Sequence, residues 1–267
     1  MRLRVGVVQM RSTPYNVGTN LEKAVSWIEE IAESAELVVL PELFNVGYVW
    51  ETKIKQRVEE SFEETCEILS SIADSYGVHI FAGIGRHENG KIYNSVGHFS
   101  PLNEPEFYDK THLFRKEREI FQAGNRLRTF KVGNTTVGVF ICYEVGFPEI
   151  ARTLALQGSE IFVVPFAFAS ERATIYELAT RSRALENGAF LVSACQTGKG
   201  FFNFYGHSRI VSPTGEVLSD AGNAEGVIMT EIDTSSVKRY RYEELPDSHA
   251  YFANFRPELY ERIKDRR

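Results

Sequence analysis

Gly138-Val139-Phe140-Ile141-Cys142-Tyr143-Glu144-Val145-Gly146-Phe147-Pro148-Glu149 is the stretch from which the rest of the chain can be read. Val137 to Ile141 is apolar and rich in β-branched residues, which predicts a buried strand. The run stops at a cysteine. Pro148 follows, and proline suits the first turn of a helix because its missing N–H would be unpaired there anyway. Ile150, Leu154 and Ala155 share a helical face, and Gly158 closes the helix. Cys142 is therefore expected on a tight strand-to-helix turn. Unpaired N–H groups and the positive end of the helix dipole at such a place favour a thiolate. On these residues alone, a buried structural cysteine is an equally good reading.

Working outward, the bulk properties narrow the class. The 267 residues allow one large domain or two small ones, and 43% hydrophobic content is ample for a core. A net charge of -6 argues against a general nucleic-acid or membrane-surface partner, since both call for basic patches. The 3 cysteines are odd in number and far apart, so they are no disulfide framework and suit a reducing cytoplasm. The segment Met1 to Gln9 looks like a first strand and not a signal peptide. No stretch approaches the roughly 20 apolar residues of a membrane span.

Strand and helix patterns alternate along the chain. Arg4–Met10 reads as a strand. Leu21, Ala24, Val25, Ile28, Ile31 and Ala32 have helical spacing. Leu37 to Leu40 is a buried strand stopped by Pro41, with Glu42 at its carboxyl end and a loop around Gly47 after it. A second helix is expected over about 59–75, with Phe62, Cys66, Leu69, Ile72 and Ala73 on one face; Cys66 is then a core residue. Val78–Ile84 and Ile92–Phe99 are strands joined by a turn at 86–91. Glu106–Asp109 delivers Lys110. Further strands are expected at Ile161–Val164, Phe190–Ala194, Gly206–Ser212 and Gly226–Ile232. A helix over about 171–187 holds Ile175, Leu178, Ala179 and Leu185. Gly215 sits in a turn before Val217 and Leu218.

Glu42, Lys110 and Cys142 each directly follow a strand-like run. Ligands of α/β sheets collect at the carboxyl ends of strands, so the three side chains are expected at one rim. Taken singly, each has a bland alternative: a loop acid, a surface lysine, a core cysteine. Together the motifs resemble the nitrilase superfamily of carbon–nitrogen hydrolases over nearly the whole chain. Pro41-Glu42-Leu43-Phe44 is similar to that family's glutamate motif. Asp109-Lys110-Thr111-His112-Leu113-Phe114 is similar to its lysine motif, and Cys142-Tyr143-Glu144 with Phe147-Pro148-Glu149 to its cysteine motif. Arg183 to Asn187, Tyr205 to Ser208, Ser212 to Gly215 and Arg256 to Tyr260 add to the resemblance.

The resemblance implies a four-layer α-β-β-α sandwich, one domain over residues 1–267, and subunits that pair across helices into a homodimer or a higher oligomer. The tail at about 245–267 is expected to pack on a partner subunit. The implied chemistry is hydrolysis of a small amide through a cysteine thioester, with no metal or organic cofactor. Cys142 would attack the carbonyl carbon and Glu42 would serve as general base and acid. Lys110 and the backbone N–H of Tyr143 would hold the oxyanion. Glu117 matches the family's second glutamate, with Glu119 as the neighbouring alternative, and would orient Lys110 or the hydrolytic water. Tyr48, Phe166 and Phe168 are expected in an apolar pocket wall. His112 reads as structural, and the histidines lack metal-binding spacing. Cys195 also follows a strand but sits in a segment similar to a noncatalytic family stretch. Gly83-Ile84-Gly85 is no phosphate loop.

The substrate is less legible. The cysteine segment is closest to the amidase branches, which tend to carry Asp and Arg where this chain has Glu144 and Gly146. Val145 and Gly146 offer no carboxylate clamp, so a small neutral or apolar amide is expected unless Arg172 supplies one. An N-carbamoyl amidase or a nitrilase on the same triad is the alternative. Nitrilase chemistry is disfavoured because the tryptophan that follows the cysteine in that branch is absent. A catalytically silent binding protein on the same fold and an acyltransferase are readings of other classes.

Overall fold

The structure, a computed structural model, describes residues 1–260. The first half of the chain gives β1 (Arg2–Gln9), α1 (Val17–Ala32), β2 (Leu37–Leu40), α2 (Ile54–Tyr76), β3 (His79–Glu88), β4 (Lys91–Phe99), β5 (Glu106–Asp109) and a single turn α3 (Glu117–Ile120). The second half gives β6 (Thr129–Val132), β7 (Thr135–Val139), α4 (Pro148–Leu156), β8 (Ile161–Phe166), α5 (Ala173–Asn187), β9 (Phe190–Cys195), β10 (Thr197–Lys199), β11 (Asn203–Tyr205), β12 (Arg209–Val211), β13 (Val217–Asp220), β14 (Gly226–Asp233) and α6 (Ser236–Tyr242).

Two six-stranded sheets form, in the orders β14-β1-β2-β3-β4-β5 and β13-β12-β9-β8-β7-β6. In each, three central parallel strands (β1, β2 and β3; β7, β8 and β9) are flanked by antiparallel ones. The chain builds one sheet, crosses over, builds the other, and returns through β14 to the first.

Period-two alternation explains why both faces of the first sheet are covered. Val5, Val7, Leu37 and Val39 face the second sheet and join Val137, Val139, Phe162 and Val192 in a shared core. The intervening Val8, Val38 and Leu40 face outward and pack under Leu21, Ile28, Phe62 and Leu69 of α1 and α2. The second sheet is covered by α4 and α5 through Ile150, Leu154, Tyr176 and Ala184. The result is the layered α-β-β-α arrangement that the resemblance implied.

Several local expectations change. The hairpin between β3 and β4 is tighter than residues 86–91. Its strands run to Glu88 and from Lys91, and only Asn89 (φ 51°) and Gly90 (φ 71°) make the turn. Helix α2 begins at Ile54 and not near 59. The strand expected at 206–212 is broken, because Gly206 (φ 72°) and His207 (φ 54°) turn the chain between β11 and β12. Helix α5 buries Tyr176, Thr180, Ala184 and Asn187, while Ile175 and Leu178 stand 46% and 65% exposed. Strands β6 and β10 and helix α6 carry no sequence pattern strong enough to announce them. The tail up to Tyr260 folds back on its own chain: the N–H of Phe252 donates to the Arg241 carbonyl at 3.1 Å, and the Arg152 guanidinium lies 4.8 Å from the Phe252 ring. Residues 261–267 of that tail lie outside the described residues.

Candidate active site

Glu42, Lys110 and Glu117 are all fully buried and joined to one another. The Lys110 ammonium donates to Glu42 Oε1 at 2.7 Å and to Glu117 Oε1 at 2.9 Å. Glu42 and Lys110 each come just past a strand, and Glu117 opens α3. Glu42 follows β2, on a turn that lies against β3. An added Cβ at Gly83 would stand 2.5 Å from Glu42 Cα, so only glycine lets the turn sit there. Lys110 follows β5, its N–H bonded to the Asn94 carbonyl at 2.9 Å. Cys142 follows β7 on the other sheet and is 6% exposed. It opens a short 3-10 turn, Cys142–Gly146, with φ of 47°. That left-handed backbone costs a non-glycine residue about 1 kcal/mol or more and has to be held by its surroundings.

Glu42 is fixed on both oxygens. Oε1 also accepts from Asn94 Nδ2 at 2.8 Å, and Oε2 accepts from the Ala167 N–H at 2.9 Å. Gln196 Nε2 donates to the Glu42 carbonyl at 2.7 Å. Glu117 is held by the Phe114 N–H at 2.8 Å and by the Tyr48 hydroxyl at 2.6 Å, and Trp50 Nε1 donates in turn to that hydroxyl at 3.2 Å. The structure therefore favours Glu117 over Glu119, which lies on the exposed side of α3.

Burial, and next the Glu42 carboxylate, push the Cys142 thiol well above its ordinary range, against the pull of Lys110. This corrects the thiolate expected from the turn: desolvation outweighs the helix end, and the resting group is the thiol. Burial works against the charge on Lys110, but Glu117 and Glu42 outweigh it and hold the ammonium protonated. Burial lifts the Glu117 carboxyl above the usual range; Lys110 opposes this and Glu42 adds to it.

The pocket residues fall differently from expectation. Phe166 is fully buried with its ring 5.0 Å from that of Tyr176, and Phe168 packs on both. Strand alternation turns the Ala167 backbone, and not the Phe166 ring, toward Glu42. Tyr48 commits its hydroxyl to Glu117. From Tyr143, the residue after Cys142, a chain of partly exposed aromatics runs instead through Phe114 and Trp50 to Phe202, with centroid distances of 5.0, 6.0 and 4.8 Å. Phe114 and Tyr143 lie in the lysine and cysteine motifs and Trp50 and Phe202 in none, and only the fold brings the four rings together. The same holds for Asn94, whose one sequence signal is its place in β4 beside β5. Arg172 inserts between Phe114 and Phe168, 4.6 Å from each ring, and makes no ion pair among the described residues.

Cys195 is 1% exposed, donates to the Tyr176 hydroxyl at 3.3 Å and has its thiol pushed up to about 12 by burial. It belongs to the core. Cys66, also buried, has its thiol pushed up to about 12 by burial, then by Glu63. Among the described residues no cluster of three His, Cys, Asp or Glu side chains could hold a metal ion, and no helix is long and apolar enough to cross a membrane.

With this geometry in place, known proteins can be compared. Residues 4–242 match the family Carbon-nitrogen hydrolase. A nitrilase of Pyrococcus abyssi is 37% identical, with 97% of this chain and 99% of that protein covered. An omega-amidase of Xenopus laevis is 33% identical over 92% of this chain and 93% of its own length. An amidase from Nesterenkonia sp. superposes with a TM-score of 0.85 at 25% identity, covering 98% of this chain and 96% of that one. In another structure of that amidase, at 25% identity, the active-site cysteine has added to acrylamide. The match across nearly the whole chain, the two-sheet sandwich and the likeness to amidases make this protein an enzyme of the carbon–nitrogen hydrolase family, within the nitrilase superfamily.

Proposed function

We propose that the protein hydrolyses a small amide to a carboxylic acid and ammonia through a thioester on Cys142, within a single carbon–nitrogen hydrolase domain. The observation that carries this reading is the buried Glu42–Lys110–Glu117 cluster, whose Glu42 and Lys110 charges act on the buried Cys142 thiol. The Cys142 sulfur forms a bond to the carbonyl carbon as its proton passes to Glu42. Lys110 has three N–H donors, and two of them are spent on Glu42 and Glu117. The third serves the oxyanion, together with the backbone N–H of Tyr143, which lies in the first turn after Cys142 where helical N–H groups lack internal partners. As the tetrahedral intermediate collapses, the carbon–nitrogen bond breaks and Glu42 returns its proton to the departing ammonia. A water, deprotonated by Glu42, then releases the acid. Because the resting thiol is neutral, the base is needed from the first step.

A second reading of the substrate is favoured by Arg172. A guanidinium beside Phe114 and Phe168 with no ion-pair partner among the described residues suits an amide or carbamoyl compound with a carboxylate at its far end. We also propose that two subunits pair across α4 and α5, where Ile175 and Leu178 are exposed in the single chain.

The deciding experiment measures ammonia release from butyramide, succinamate, N-carbamoyl amino acids and small nitriles, in parallel with Cys142→Ala. Wild-type release from amides, abolished in the variant together with an acyl adduct seen by intact mass, supports the reading. Full activity in Cys142→Ala overturns it. A preference for succinamate over butyramide that disappears in Arg172→Met selects the second substrate reading.

A further inference from the structure

The nucleophile and the rest of the catalytic cluster stand on different sheets. Glu42 and Lys110 follow β2 and β5 of the first sheet, and Cys142 follows β7 of the second. What holds the sheets face to face is a core of aliphatic and aromatic side chains. Apolar burial is strong but non-directional, and it does not by itself set a distance between two polar groups. Catalysis requires that distance: a misplacement of about 1 Å between reacting groups can cost on the order of 10² in rate.

Glu144 supplies a directional link. Its side chain is fully buried. On its own sheet it accepts from the N–H of Ile141, the residue before the nucleophile, at 2.8 Å. From the other sheet it accepts from the Tyr108 hydroxyl at 2.8 Å, the Thr111 N–H at 2.9 Å, the Thr111 hydroxyl at 2.6 Å and the His112 N–H at 3.1 Å. Tyr108, Thr111 and His112 bracket Lys110 in sequence. One carboxylate therefore grips the backbone on the far side of the lysine and the backbone just before the cysteine. Among the described residues no lysine or arginine forms an ion pair with it, and the His112 ring Nδ1 lies 3.6 Å away. Burial alone would lift the Glu144 carboxyl, but the hydrogen bonds from His112, Thr111 and Ile141 outweigh it and hold the group ionised. Hydrogen bonds to an ionised acceptor are short and roughly twice as strong as neutral ones. The same link braces the left-handed backbone at Cys142.

We propose that Glu144 is a positioning residue that sets the reach from Lys110 to the oxyanion formed on the Cys142 turn. This rests on the reading of Cys142 as nucleophile and Lys110 as oxyanion donor. Two reactions of the same thiol separate the role from a merely structural one. Acylation by p-nitrophenyl acetate passes through an oxyanion. Alkylation by iodoacetamide displaces iodide at an sp³ carbon and passes through none.

The test compares wild type with Glu144→Gln and Tyr108→Phe, each corrected for the fraction of sites that titrate. In Glu144→Gln the acylation burst rate is expected to fall by about 10², the usual cost of one lost oxyanion donor. The alkylation rate at Cys142 stays within about threefold, and for the best amide kcat falls while KM holds. Tyr108→Phe removes one of the cross-sheet bonds and leaves the carboxylate, so it keeps the test open if Glu144→Gln does not fold. Its acylation is expected to fall about tenfold, with alkylation again unchanged. Unchanged acylation per titrated site in both variants overturns the proposal, as does a parallel fall in both reactions. A wild type with no burst overturns the parent reading and this one with it, whereas a full burst retained by the variants overturns this one alone.

Discussion

Lys110 is the residue on which the site's electrostatics balance. Its ammonium lies between two buried carboxylates, and neither Glu42 nor Glu117 has another cation within ion-pair distance among the described residues. Removing one partner from a buried ionic cluster leaves charge uncompensated, at a cost of about 3–5 kcal/mol. Lys110→Met is therefore expected to lose stability of that order in urea unfolding, as well as on the order of 10² or more in kcat. A variant as stable as wild type would mean that the cluster is not charged as described. Cys142 shows the opposite balance. Burial, and next Glu42, keep the proton on sulfur, so under the proposed mechanism the nucleophile is made at the moment of reaction and not stored.

At the scale of elements, the paired strands β3 and β4 carry a second buried polar feature. His79 Nδ1 and His98 Nε2 are 3.1 Å apart, and the His98 ring stacks on Phe81 at 4.3 Å. Burial, followed by the charges of His79 and Arg128, pushes the His98 imidazole down to about 3. A free histidine titrates near 6.5. Between the two values the unfolded chain binds a proton that the folded chain refuses, so stability falls as pH is lowered through that window. The loss attributable to His98 is expected to be about 1–2 kcal/mol between roughly pH 6.5 and 5. His98→Phe should flatten that part of the urea-midpoint profile whatever its absolute stability. An identical slope in the variant would show that His98 does not titrate as its burial dictates.

At the scale of the whole molecule, the outer helix layer over the second sheet leaves apolar side chains uncovered. Besides Ile175 and Leu178, a groove of about 700 Å³ runs along Pro148, Arg152, Leu185, Tyr251 and Phe255. The tail lines this groove, so a partner pairing across α4 and α5 would meet the tail as well. Leu178→Glu is expected to shift wild-type dimers to monomers in sedimentation velocity, with the fold intact by circular dichroism. A wild type that sediments as a monomer would remove this proposal without touching the site.

The sequence by itself determined the layers and the three motifs that the fold brings to the candidate site. Alternation along Val5 to Val8 and Leu37 to Leu40 is local, because successive side chains of a strand must face opposite ways. The cysteine, lysine and glutamate motifs were legible for a similar reason, each lying just past its own strand. Tertiary structure decided what depends on approach between distant segments. The protonation of Cys142 followed from how deeply the second sheet buries it, which no local pattern records. Phe166 turned inward, and Tyr48 toward Glu117, because of what packed across from them. Glu144 could be seen as part of a motif, but its five donors come from Tyr108, Thr111, His112 and Ile141, and only the closing of the two sheets brings those groups to one carboxylate.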